Sequence, residues 1–107
     1  MTHPDLSRIL TQIRQGLEKL YGTDLECLIL YGSQARGDAE QDSDIDLLIL
    51  LKRPFVYGTE SDRISELVAN LCLEYAVVIC CTFATVQKYQ TYDSGFFRNI
   101  RQEGVTV

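Results

Sequence analysis

The stretch Asp44-Ile45-Asp46-Leu47-Leu48-Ile49-Leu50-Leu51 constrains the fold more than any other part of the chain. It is the most apolar run in the sequence, yet it opens with two carboxylates. An apolar run of this length reads as a buried strand, which needs other elements to cover it. Lys52-Arg53-Pro54 ends it, because proline cannot donate to a ladder. Both acids therefore stand at the mouth of a buried strand. Residues two apart on a strand point to one side with Cβ atoms roughly 7 Å apart, so the two carboxylates can reach one small volume. Two like charges there repel unless a cation intervenes, and Mg²⁺ accepts one or two carboxylates together with phosphate oxygens and water. An arbitrary Asp-x-Asp is more often a solvated strand edge or a helix cap. The aliphatic neighbours weaken that alternative here, since unpaired acids on a buried strand are costly.

The remaining elements follow from periodicity. Leu6, Ile9, Leu10, Ile13, Leu17 and Leu20 recur at helical spacing and predict an amphipathic helix from Leu6 to Tyr21, started near Asp5 and stopped near Gly22. Leu25 to Tyr31 reads as a short central strand that ends abruptly at Gly32-Ser33. Residues 33–43 are polar and predict a helical turn followed by a loop, with Gly37 allowing a chain reversal. Thr59 and Asp62 suggest a cap before a second amphipathic helix carrying Ile64, Leu67, Val68, Leu71 and Cys72 on one face. Val77 to Phe83 reads as a third strand, and Thr85 to Tyr92 and Ser94 to Glu103 as helices ended by Gly104. The expected architecture is one α/β (α+β) domain over residues 1–107, of order α-β-α-β-α-β-α, with an open mixed sheet of three or more strands flanked by helices.

Composition excludes several classes of function. A formal net charge of -5 argues against nucleic acid as a main ligand, because that binding needs a basic surface. A nucleoside triphosphate remains compatible, since Mg²⁺ bridges carboxylates to phosphates. Cys27, Cys72, Cys80 and Cys81 lack C-x-x-C spacing and read as reduced core thiols, with Cys80 and Cys81 pointing to opposite faces of a strand. The N-terminus has no signal-peptide pattern and no apolar run approaches ~20 residues, so a cytoplasmic, non-membrane protein is expected. His3 lies near a terminus and the six tyrosines read as packing residues with a polar tip, so none is a catalytic candidate.

The segment from Gly32 to Ile49 carries the chemistry. At Gly32-Ser33 a strand gives way to a helical turn, where a residue without Cβ lets backbone N–H groups approach a phosphate and the helix start supplies unpaired donors. The Ser33 hydroxyl can donate to a phosphate oxygen or cap the turn. Taken alone, Gly-Ser describes an ordinary turn. Arg36 follows one turn after Ser33 and can face the same anion or lie on the surface.

Gly32-Ser33, the ten residues 34–43, then Asp44-x-Asp46 on a hydrophobic strand, with Ala35-Arg36-Gly37 between, resembles the signature of the polymerase β-type nucleotidyltransferase superfamily, in particular its minimal (MNT) members. The run from Ser94 to Gly104 is also similar to the end of MNT antitoxins. The resemblance implies a polymerase β-like core over the whole chain. It implies Gly32, Ser33, Arg36 and Ser43 as triphosphate-binding residues, Asp44 and Asp46 as metal ligands, and Asp44, Asp46 and Ser33 as the catalytic set. It further implies Mg²⁺, one ion or two, with ATP or another nucleoside triphosphate as donor. The partner it implies is a HEPN-type toxin, modified on a tyrosine by AMP transfer (AMPylation), with a homo- or hetero-oligomer as the assembly. The other reading of the same resemblance is an antitoxin of little activity that neutralises such a toxin by complex formation.

This chain departs from the superfamily pattern in one respect that bears on chemistry. A third carboxylate is usual on the next core strand, and the resemblance puts it at Ala76, which cannot ligate a metal. Glu74, two residues earlier, would reach the same face if the strand began early. Gln34 stands where many relatives carry a second arginine, which thins the positive charge around the phosphates.

Overall fold

The computed structural model describes residues 3–40 and 43–107. The sequence expectations for residues 1–2 and for the 41–42 part of the polar loop lie outside them. The elements run α1 (Leu6–Tyr21), a 3-10 turn (Gly22–Asp24), β1 (Leu25–Tyr31), α2 (Ser33–Arg36), β2 (Ile45–Leu51), α3 (Tyr57–Tyr75), β3 (Ile79–Thr85), α4 (Val86–Thr91), α5 (Gly95–Glu103) and β4 (Val105–Thr106). The strands form one mixed sheet in the order β3-β2-β1-β4. β1 is antiparallel to β2 and to β4, and β2 is parallel to β3.

The apolar run of β2 is explained by its place inside this sheet, where both faces are covered. Alternate residues Ile45, Leu47, Ile49 and Leu51 enter a core with Ile9, Ile13 and Leu17 of α1 and Ile64 and Leu71 of α3. Leu48 and Leu50 enter a second core with Ile29, Ala84, Phe97 and Ile100. The four-residue stripe Ile9, Ile13, Leu17 and Tyr21 is what makes α1 amphipathic. Gly16 lets α3 come close, since a Cβ there would lie 2.6 Å from Leu67 Cδ2. The buried Glu60 is accounted for: it accepts a 2.8 Å hydrogen bond from the Tyr21 hydroxyl and pairs with Arg63 at 3.5 Å.

Three expectations shift. α3 begins at Tyr57 with no side-chain cap at Val56, so Thr59 and Asp62 lie inside the helix rather than before it. Its start is instead anchored by the Tyr57 ring, edge-on to Phe83 with centroids 5.5 Å apart. The third strand starts at Ile79, two residues late, because the chain leaves α3 through Ala76 in the left-handed region (φ 52°) and through Val77, whose N–H returns to the Cys72 carbonyl. Finally, two residues after Gly104 form β4, which was not expected; Leu30 pairs with Val105 and Ile29 with Thr106. No helix among the described residues is long and apolar enough to cross a membrane.

Candidate active site

The acid pair lies where β1 ends and β2 and β3 begin. Antiparallel pairing sets Tyr31 beside Asp46, so the next residue, Gly32, turns directly over that carboxylate. A Cβ on Gly32 would stand 2.5 Å from Asp46 Oδ2. Gly32 has φ 76° and ψ -158°, a conformation open essentially to glycine alone. From it α2 starts at Ser33 and closes on Gly37 in the left-handed region. The turn and the acid pair thus share one cleft.

Asp44 is exposed and Asp46 is half-buried. Burial pushes the Asp46 carboxyl above its usual range, the neighbouring Asp44 charge adds to this, Arg36 opposes it and Glu103 reinforces it. A half-buried carboxylate next to a second one is what a divalent cation relieves, so the donor set fits Mg²⁺. Among the described residues no group of three His, Cys, Asp or Glu side chains is placed to hold a metal.

Other expected residues are placed differently. Ser33 is partly exposed on the first turn of α2. Ser43 is partly buried, and its hydroxyl accepts a 2.7 Å hydrogen bond from the Glu40 N–H, inside the loop. Arg36 is exposed and held in two ion pairs, to Asp38 at 3.2 Å and Glu103 at 3.0 Å. The third-carboxylate position needs correction. Ala76 closes α3 and is not on β3, and Glu74 is an exposed residue in the last turn of that helix, so an early strand start does not rescue it. The β3 residue paired with Asp46 is Cys80. β3 (Ile79–Thr85) contains no acid, so the absence of a third carboxylate on this strand stands.

Sequence reasoning did not give the placement of four side chains around the cleft. Cys80 is exposed rather than a core thiol, and donates to Asp44 Oδ2 at 3.6 Å. Tyr31 lies on the Asp46 side, with its hydroxyl on Thr82 and its ring edge-on to Phe96 at 5.6 Å. Gln34, at 3% exposure, is turned inward and not toward any phosphate: it accepts from the His3 N–H at 2.9 Å and donates to the Ser43 carbonyl at 3.4 Å. Glu103 accepts from the Gly32 N–H at 3.2 Å. All four depend on strand register or on contacts distant in sequence; the only local signal was the alternation that sets Cys80 apart from Cys81. A separate concavity of about 540 Å³ lies at the other end of β1, lined by Arg14, Glu18, Leu25 and Val107, and does not include the acid pair.

The cysteine environments make a direct test of this geometry. Burial pushes the Cys81 thiol up to about 12; the Cys80 thiol is also raised, by burial and by the neighbouring Asp44, but it is exposed at the cleft. Iodoacetamide at mildly alkaline pH is expected to modify Cys80 and spare Cys81 in the folded protein, read by peptide mass spectrometry. Equal modification of the two would mean that β3 is not seated as described.

A mixed sheet that brings a glycine turn onto a strand bearing Asp44 and Asp46 defines a nucleotidyl-transfer fold. The chain matches the nucleotidyltransferase domain family over residues 10–101 and belongs to that family. A candidate protein adenylyltransferase of Methanocaldococcus jannaschii is 34% identical over 89 residues, covering 82% of this chain and 83% of the relative. The fold is similar to a toxin–antitoxin crystal structure with AMP-PNP, with a TM-score of 0.63 at 17% identity over 90% of this chain and 69% of that one. It is also similar to a mutant MntA–HpeT toxin–antitoxin structure, with a TM-score of 0.59 at 16% identity over 91% and 70% of the two chains.

Proposed function

We propose that this nucleotidyltransferase moves AMP from Mg-ATP to a hydroxyl, a tyrosine, of a HEPN-type toxin and so acts as its antitoxin. The observation that carries the reading is the close approach of the Gly32 turn to Asp46, with Asp44 beside it. The first-turn N–H groups of α2 and the Ser33 hydroxyl would hold the β and γ phosphates. Asp44 and Asp46 would hold Mg²⁺, which when bound neutralises charge at the α-phosphate. The acceptor hydroxyl would give up its proton to solvent as its oxygen bonds to the α phosphorus, while the bond to the bridging oxygen breaks and pyrophosphate leaves. The role of this chain in that step is alignment. The relative's name supports AMP as the transferred group, and the toxin–antitoxin neighbours support a toxin as acceptor.

A second reading has its own observation. With Cys80 where a third acid would stand and Arg36 already paired, chemistry is slowed and neutralisation by binding dominates. Incubation of the chain and its candidate toxin with Mg-ATP, followed by intact mass measurement of the toxin, separates the two. An added AMP unit on the toxin is expected; a tight complex with unmodified toxin at every stoichiometry supports the second reading.

A further inference from the structure

Glu103 is the last residue of α5 and is 71 positions from Gly32, yet its carboxylate meets two donors of the turn, the Gly32 N–H and the Arg36 guanidinium. Oε1 accepts from the Gly32 N–H at 3.2 Å, and Oε2 accepts from Arg36 Nη1 at 3.0 Å. A carboxylate bridging a backbone N–H and a guanidinium has the donor demands of a phosphate oxygen pair. We infer that Glu103 is an internal competitor for the incoming polyphosphate, occupying the Gly32 and Arg36 donors until the nucleotide displaces it. The inference rests on the reading of the Gly32 turn as the phosphate site.

The backbone that carries Glu103 is fixed. The Gly104 N–H returns to the Ile100 carbonyl at 2.7 Å, and a Cβ on Gly104 would stand 2.7 Å from Ile29 Cγ2. The next residue, Val105, is paired with Leu30 in the sheet. Displacement therefore means a side-chain rotation of Glu103, with α5 staying in place. The carboxylate, at 25% side-chain exposure, has an aqueous side to rotate into. It also lies near enough to Asp46 for the two charges to repel. The polyphosphate of a Mg-nucleotide offers the same acceptor oxygens to Gly32 and Arg36 while bringing a cation to the acids. The competitor thus raises the nucleotide concentration at which the site fills.

Titration calorimetry of the full chain with Mg²⁺ and AMP-PNP tests this. Glu103→Gln and Glu103→Ala are expected to bind at least about fivefold more tightly than the wild type. Asp38→Asn removes an equal charge from Arg36 without touching the Gly32 N–H, and is expected to change affinity less than twofold. Asp44→Asn is expected to lose binding. Unchanged or weaker affinity in a Glu103→Gln protein with a wild-type melting temperature overturns the inference, as does equal tightening by Asp38→Asn, which would make the effect one of net charge. In either case loss of binding in Asp44→Asn leaves the nucleotide site standing. Absence of binding by every one of these proteins overturns both.

Discussion

Asp46→Asn is expected to abolish nucleotidyl transfer while leaving the free protein at least as stable as the wild type. The two halves of that expectation have one cause. Asp46 is half-buried on the buried strand β2, and its charged form is penalised first by desolvation and then by Asp44. A carboxyl whose pKa is raised on folding disfavours the folded state at every pH above its unfolded value, so at neutral pH its charge is a liability to the free protein. Asparagine keeps the shape and removes the charge. With a cation bound as proposed, the balance would reverse, because the same charge would serve as a ligand. Loss of even an outer partner of a metal ligand costs about 10–100-fold, so loss of the ligand itself should exceed about a hundredfold in transfer rate. Asp44→Asn should match it in activity with a smaller gain in stability, since Asp44 is exposed. Transfer assays and thermal melts on the same preparations decide the matter. An Asp46→Asn protein within tenfold of wild-type activity would remove the acid pair from the mechanism.

That a free protein carries such a liability explains why the sequence is readable at this point and less so elsewhere. The acids stand out because they interrupt an apolar run, and local rules forbid that without a reason. The same holds for the helices and for β1 to β3, whose apolar periodicity matches the two cores. Boundaries moved where a tertiary contact outweighed a local signal. Tyr57 against Phe83 starts α3 ahead of the Thr59 signal, and the left-handed Ala76 delays β3 to Ile79. β4 had no local signal, because two residues become a strand only through pairing with β1. The assignment of Ala76 beside the acids failed for the same reason: which residue flanks Asp46 is a matter of register, and the register chooses Cys80. Arg36 shows the limit of reasoning about charge from spacing. One turn after Ser33 it can face an anion, and it does, but the anions it meets within the chain are Asp38 and Glu103.

Gly32→Ala is the substitution in which fold and site fail together, and Gly37→Ala provides its measure. Both glycines have positive φ, 76° and 82°. Each alanine therefore carries a backbone penalty of about 1–3 kcal/mol. At Gly37 a Cβ meets nothing within 4 Å, so that penalty is the whole expected effect, and activity per folded molecule should persist. At Gly32 the Cβ would meet Asp46 Oδ2 at 2.5 Å. A carboxylate end is mobile, so the clash is relieved by turning Asp46 away, which adds little to the stability loss but removes the acid from the cleft. Urea denaturation should thus show the larger loss for Gly32→Ala, whose backbone conformation is open essentially to glycine alone, and transfer per folded molecule should fall by more than about a hundredfold only in that variant, as for a lost metal ligand. The double variant Gly32→Ala/Asp46→Asn should be no less active than either single one, since both act on the same carboxylate and residues in contact are not additive. Additive losses in the double variant would show that Gly32 serves the reaction by a route other than the room it leaves for Asp46.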